Sequence, residues 1–306
     1  MNLSEKLQFS GRTGMQENDT KFLMRSRKTE MKIRQNLHVH STWCDGADTP
    51  EEMIRTAIEK GFSSIGFSGH SYMSYSPDHS MSLEGTELYK KEVRALRQKY
   101  AGQIDVFCGL EVDMYSGIDL TGYDYLIGSV HYLRVGGETV GFDRSQAEVQ
   151  RVIDRYFGGD GMAYAKAYYE AMVCLPQYGD FDILGHYDLI AKHSDNIAFY
   201  DEESKAYRDW AIGALEALAG KIPLFEVNTG AIARGYRKTP YPAPFLLREM
   251  KRLGYGAVVS SDCHDRRALD CYYKEAEALL EAYGFREVYI LTAPGRFEPV
   301  PIGGMS

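Results

Sequence analysis

Eight histidines are spread over the 306 residues, and six stand where short β-rich runs end. His38 and His40 lie two apart in Gln35-Asn36-Leu37-His38-Val39-His40, so on a strand both project from one face. His70, His131 and His186 stand at or just beyond the ends of further runs, and His264 follows Asp262 by two residues beyond another. Carboxylates share the pattern: Glu111 ends Gly109-Leu110-Glu111-Val112-Asp113, and Asp262 stands just past 256–260. Imidazoles and carboxylates that converge without cysteine ligands point to a borderline or hard cation such as zinc, manganese or iron. One such histidine alone is more often a hydrogen-bonded core or rim residue than a ligand. Glu111 or Asp262 alone could cap a helix or pair with an arginine. Eight residues at matching strand ends are not eight coincidences, and a metal site is the reading that explains them together. Asp45 precedes a glycine and reads on spacing alone as a turn residue. His79 and His193 fall in ordinary loop sequence, and Cys263 reads as a small filler between Asp262 and His264.

The elements that must hold these residues alternate in type. β-rich runs are expected at 35–40, 64–68, 104–110, 125–130, 181–185, 223–227, 256–260 and 287–291. Helices are expected between them, at about 84–100, 162–175, 202–219, 242–253 and 267–283. Two more start at capping boxes, Thr49 with Glu52 and Ser145 with Glu148, the first with proline at its first position. Gly61, Gly220, Gly254 and Gly284 stand where helices should stop. Seven or eight strand–helix repeats at this length imply a parallel sheet closed into one barrel, whose strand C-termini open on a single face. A doubly wound open sheet is the alternative. The absence of a GxGxxG or GxxxxGK[ST] turn after any run weakens its nucleotide-binding versions.

Composition narrows the function classes. The chain carries 35 basic and 43 acidic residues, a formal charge of −8. That argues against nucleic acid or an anionic membrane surface as partner, but leaves room for a small anionic substrate if cations reverse the local sign. The five cysteines are odd in number and form no CxxC pair, so a disulfide framework is not expected and a reducing compartment, the cytoplasm, is. No run of about 18 apolar residues is present. Residues 1–30 are polar and aperiodic, and Met31 opens a more protein-like start. The expectation is a dispensable tail over 1–30 and one catalytic domain over 31–306.

Six segments, taken in order, resemble the motifs of the polymerase and histidinol phosphatase (PHP) family. They are Leu37-His38-Val39-His40-Ser41-Thr42 with Asp45-Gly46, Ser68-Gly69-His70-Ser71, Gly109-Leu110-Glu111-Val112-Asp113, Ser129-Val130-His131-Tyr132, Leu184-Gly185-His186-Tyr187-Asp188 and Ser260-Ser261-Asp262-Cys263-His264. The resemblance runs from about Asn36 to Tyr283 and is greatest to the family's stand-alone histidinol-phosphate phosphatases. Glu226-Val227-Asn228-Thr229-Gly230 and Tyr241-Pro242 resemble their sixth-strand segment. It implies a distorted (β/α)7 barrel holding three divalent or transition-metal ions, of zinc, manganese or iron. Carried over, the first ion takes His38, His40, Glu111 and Asp262. The second shares Glu111 and adds His131 and His186. The third takes Asp45, His70 and His264.

The implied chemistry is hydrolysis of a phosphate monoester in a small metabolite. Water bound to such ions loses its proton near pH 7 and needs no serine or cysteine nucleophile. Glu111, Asp262 and His264 are the catalytic candidates, with His264 or Asp262 able to protonate the leaving oxygen. Lys192 and Arg234 are the candidates for orienting the phosphate, whereas Arg237 and Lys238 read as surface charge. Two rivals use the same residues: a phosphoesterase acting on nucleotides or diesters, and a non-enzymatic metal-binding regulator.

Overall fold

The computed structural model describes residues 34–303, so the expected tail over 1–30 lies outside the described residues. In chain order the elements are β1 (Gln35–Asn36), α1 (Pro50–Glu59), β2 (Ser64–Phe67), α2 (Leu83–Lys99), β3 (Asp105–Asp113) and β4 (Tyr125–Ser129). A hairpin follows, β5 (Tyr132–Val135) and β6 (Glu138–Gly141), then α3 (Gln146–Phe157), α4 (Gly161–Cys174) and β7 (Ile183–Leu184). The remainder is α5 (Lys205–Leu218), β8 (Leu224–Asn228), the short α6 (Gly230–Ala233), α7 (Pro244–Leu253), β9 (Gly256–Ser260), α8 (Tyr273–Ala282), β10 (Glu287–Ala293) and β11 (Arg296–Pro301).

Seven strands form one sheet in the order β1-β2-β3-β4-β7-β8-β9, every neighbouring pair parallel. Its two edges meet at a parallel bridge between Val39 and Cys263. There the His40 N–H donates to Cys263 O at 3.0 Å and the Cys263 N–H to His38 O at 3.3 Å. The seven-stranded barrel expected from the sequence is therefore nearly closed, and its seam sets Asp262 and His264 beside His38 and His40. Asp262 reaches its place with φ +46°, a left-handed conformation that aspartate tolerates better than most residues.

Two expected runs differ from the structure. The first run is ladder-paired only at Gln35–Asn36. Beyond it side chains take the backbone donors: Asn36 Oδ1 accepts from the His38 N–H at 3.1 Å, and Ser68 Oγ from Val39 at 3.2 Å. The eighth run lies in β10, which pairs antiparallel with β11 outside the seven-stranded sheet. Gln35 ties that hairpin to the barrel's lower end, exchanging two hydrogen bonds of 2.8 and 2.9 Å with the backbone of Leu291.

Alternation along the strands divides the interior. Leu37, Phe107, Tyr125, Ile127, Ile183, Leu224 and Val258, with Leu291 from β10, fill the lower half. Farther along the same faces come Glu111, Ser129, Glu226 and Ser260, so the lumen turns from apolar to polar toward the strand C-termini. Tyr125 lies across the lumen, its hydroxyl 2.5 Å from Leu37 O, and Gly109 makes room for it. A Cβ on Gly109 would sit 2.2 Å from the Tyr125 ring. The helices cover the outside. Thr49 and Glu52 form the full capping box on α1, whereas Ser145 supplies one arm on α3, accepting from the Glu148 N–H at 3.2 Å. Helix α8 starts at Tyr273, later than expected, because Arg266–Ala268 is a 3₁₀ turn and Tyr272 is left-handed.

Candidate metal centre

Glu111 is the hub. Strand β3 carries it to the upper lumen, 1% exposed, where its two oxygens face different histidines. Oε2 lies 2.9 Å from His70 Nδ1, 3.3 Å from His38 Nε2 and 3.5 Å from His40 Nε2. Oε1 lies 2.9 Å from His186 Nε2 and 3.5 Å from His131 Nε2, and accepts from the Ser129 hydroxyl at 2.7 Å. Asp262 closes the first side, its Oδ1 3.2 Å from His40 Nε2 and 3.6 Å from His38 Nε2. Asp45 stands higher, in a loop turned tightly at Gly46, where a Cβ would meet Ser41 N at 2.5 Å. Its carboxylate lies 3.4 Å from His264 Nε2, 3.4 Å from His40 Nδ1 and 3.6 Å from His70 Nε2.

All nine residues expected as ligands thus converge. Four sets each offer atoms within 4.8 Å of one another: His40, Asp45, His70 and His264; His38, Glu111 and His186; His38, His40 and Asp262; and His70, Glu111 and His131. Besides Glu111, His38, His40 and His70 each belong to two sets, so the division among three ions is less sharp here than the resemblance implies. The donor set fits divalent cations. His38 Nε2, His40 Nε2, Glu111 Oε2, Asp45 Oδ1 and His186 Nδ1 are buried and make no hydrogen bond. Buried polar atoms left unpaired are costly, and here imidazole nitrogens and carboxylate oxygens face one another across short gaps that protons or a cation must bridge.

Charge tells the same story. Burial opposes ionisation of Glu111, yet His38, His70 and His131 hold its carboxyl well below the usual range. Burial likewise opposes Asp262, which Arg234 and His38 hold well below. Burial would lower the histidines, but Glu226, Glu111 and Asp262 raise His38 well above its ordinary value. Against the same burial, Glu111 and Asp113 push His131 up to about 9. With no cation the protein offsets its buried carboxylates with imidazolium protons, and metal entry must displace those protons.

A second layer braces the ligands. Glu226 Oε2 lies 2.9 Å from His38 Nδ1, and Asp113 Oδ2 accepts from the His131 backbone N–H at 3.2 Å. Above the cluster a cavity of about 320 Å³ is lined by all the expected ligands except His38 and His40, together with His79, Asp143, Arg144, Leu189, Lys192, Arg234 and Tyr236. Both expected phosphate-orienting residues reach it. Lys192 Nζ pairs with Asp143 at 3.2 Å and sits 4.8 Å from the Tyr236 ring centroid. Arg234 pairs with Asp262 Oδ2 at 2.9 Å and donates to Asp262 O at 2.7 Å. Arg237 is buried and donates to Ala191 O at 2.9 Å, so it is not the surface charge it was expected to be. Lys238 is exposed, as expected.

Several residues of the site carry no assignment on sequence grounds. Glu226 left a usable signal, a carboxylate in the middle of an apolar strand. Asp113 left another, two residues after Glu111 and so on the same face. Asp143, Arg144 and Tyr236 lie in loops with no periodicity to mark them. His79, read as ordinary loop, lines the cavity, its Nδ1 3.8 Å from Asp45.

A barrel whose strand ends present a carboxylate-bridged histidine cluster is the architecture of a metal-dependent hydrolase. The PHP domain model matches residues 36–230, and the chain belongs to the PHP family. It is 32% identical over 267 residues to a probable histidinol-phosphatase of Deinococcus radiodurans, spanning 82% of this chain and 94% of that protein. It is 25% identical to a histidinol-phosphatase of Bacillus subtilis, over 80% of this chain and 97% of that one. The fold matches that of a histidinol phosphate phosphatase of Lactococcus lactis, solved with zinc, L-histidinol and phosphate. That match has a TM-score of 0.66 at 22% identity and covers 87% of this chain and 98% of the other.

Proposed function

We propose that this protein is a histidinol-phosphate phosphatase, hydrolysing L-histidinol phosphate to L-histidinol and phosphate at a trinuclear metal centre. The observation that carries this reading is Glu111: one buried carboxylate faces five imidazoles at 2.9–3.5 Å, and several of the surrounding atoms have no partner. His38, His40, Glu111 and Asp262 would hold one ion; Glu111, His131 and His186 a second; Asp45, His70 and His264 a third. His38, His40 and His70 stand near enough to adjacent sets to be shared. Bound there, zinc, manganese or iron would acidify a water to near-neutral pH and neutralise the phosphate oxygens.

The chain's own groups do the rest. Arg234 and Lys192 orient the phosphate dianion from the cavity wall. Asp262 is held ionised, and burial with His40 lowers His264, itself a proposed ligand, so neither has a proton to spare and the leaving oxygen takes its proton from water in the cavity. Asp143 and Tyr236 give the wall a carboxylate and an aromatic face that suit the cationic amine and imidazole end of the substrate. A cavity of about 320 Å³ matches a small metabolite better than a polymer. Among the described residues no helix is long and apolar enough to cross a membrane. Residues 31–306 carry the activity and 1–30 do not, so a chain starting at Met31 keeps its turnover; loss of activity on that truncation would refute the division.

The test is phosphate release by zinc-, manganese- or iron-loaded protein from histidinol phosphate, a nucleoside monophosphate and a dinucleotide. A clear preference in kcat/KM for histidinol phosphate is expected. Preference for either nucleotide substrate would move the protein to another PHP phosphoesterase activity. No release from any of the three would favour a metal-binding regulator.

A further inference from the structure

Glu226 sits in the middle of β8, 1% exposed, and both its oxygens are fully engaged. Oε2 accepts from the Ser260 hydroxyl at 2.6 Å and faces His38 Nδ1 at 2.9 Å. Oε1 accepts from the backbone N–H of His186 at 2.7 Å and from Asn228 Nδ2 at 2.9 Å. A carboxylate only accepts, so His38 Nδ1 must carry the hydrogen. The lone pair of the neutral ring is then on Nε2, which points between Glu111 Oε2 and Asp262 Oδ1 at 3.3 and 3.6 Å and makes no hydrogen bond. A lone pair facing two carboxylates needs a cation between them, and in the metal-free protein a proton on Nε2 takes that place. The other oxygen of Glu226 fastens the backbone of His186, whose ring meets Glu111 on its opposite side.

We propose that Glu226 is a positioning residue of the metal centre. It fixes His38 in the Nδ1–H tautomer, anchors His186, and so ties together the ligands on the two sides of Glu111. This rests on the reading of the cluster as a metal centre. Glu226 touches neither substrate nor ion and acts through the two histidines.

Glu226→Gln tests it with little change of shape. The amide oxygen can keep the His186 and Asn228 contacts, which leaves the NH₂ facing His38 Nδ1. Two donors cannot face each other, so the His38 proton moves to Nε2, the nitrogen meant for the ion. Zinc affinity, measured by competition with a chromophoric chelator, should fall about 10- to 100-fold. The visible spectrum of the cobalt-substituted protein should change, while the metal-free variant melts close to the metal-free parent. Parental zinc affinity and an unchanged cobalt spectrum would overturn the proposal, even if turnover fell. Should the variant not fold, long-range ¹H–¹⁵N correlation of zinc-loaded parent protein decides: protonated Nδ1 on His38 supports the proposal, and protonated Nε2 overturns it. A parent protein that takes up no zinc would overturn both this proposal and the metal-centre reading, whereas tight zinc uptake by parent and variant alike overturns this one only.

Discussion

The floor and the rim of the cluster are built differently. On the floor, His38, His40, Glu111 and His186 are almost wholly buried and come from strand ends or the residues just past them. His38 and Glu111 there have second-layer partners, Glu226 and Ser129, and His186 is anchored through its backbone. At the rim, Asp45, His70 and His264 are 14–27% exposed; Asp45 faces both histidines from a loop, and of the three only His70 reaches Glu111. Lys192 and Arg234 join them, neutralised by Asp143 and Asp262. Ligands fixed by a barrel and braced from behind resist loss better than a loop carboxylate at the partly exposed edge. On the proposed reading, the floor would hold its cations through turnover, while the rim would meet substrate and tolerate change.

Breaking the hub should have the largest effect. Glu111→Ala removes both oxygens that join the two sides, and kcat/KM should fall by at least about 10³-fold. Elemental analysis should find less than one ion per chain. Retained metal with parental turnover would show that the floor does not depend on Glu111. Arg234→Ala comes next. Losing a charge-assisted contact made where charge is redistributed should cost a combined roughly 2–4 kcal/mol in kcat/KM, through both KM and kcat, with metal content unchanged. Parental kinetics would reduce Arg234 to a partner of Asp262. Asp45→Ala sharpens the contrast: about one ion should be lost and two kept, and activity should fall roughly 10- to 100-fold. Loss of all metal would mean that floor and rim are one unit.

The pH dependence of the metal-free protein probes the floor from its proton side. His131 is raised to about 9, so its stabilising contribution is complete below about 6.5 and is lost as pH rises to 9, at most about 3 kcal/mol. Glu111 and Asp262 are depressed, so their contribution holds above about 4 and fades only as pH falls below that. The melting temperature of metal-free protein should therefore drop by several degrees between pH 6.5 and 9. Metal-loaded protein, its ligand protons already displaced, should not follow. Equal alkaline profiles would contradict the proton-for-cation exchange. The smallest effect belongs to Lys192→Ala. Lys192 is already paired with Asp143, so KM for histidinol phosphate should rise only a few-fold, about 1 kcal/mol.

Much of the floor is legible in the sequence because strands are periodic. His38 and His40 two apart, Glu111 at the end of an apolar run and Asp262 two before His264 follow from alternation and the common orientation of parallel strands. Barrel closure is less legible. The edges join through one bridge at Val39 and Cys263, and the first run's ladder is interrupted where Asn36 and Ser68 side chains take the His38 and Val39 amides. The rim is the least legible. Asp143, Arg144 and Tyr236 reach the cavity from loops whose paths no periodicity records, and Asp45 looks like any Asp-Gly turn until its neighbours are in place. Arg237 shows the converse error. A basic residue in a polar stretch looks like surface charge, but here the chain folds over it and Ala191 O takes its guanidinium.

Anomalous diffraction from crystals of zinc-loaded protein tests the central claim most directly. The expected map has one peak between Glu111 Oε2, Asp262 and the His38–His40 pair, a second between Glu111 Oε1, His131 and His186, and a weaker third among Asp45, His70 and His264. Ligand distances should fall near 2.0–2.2 Å. A map with no peak beside either oxygen of Glu111, from protein that releases phosphate from histidinol phosphate, would contradict the account.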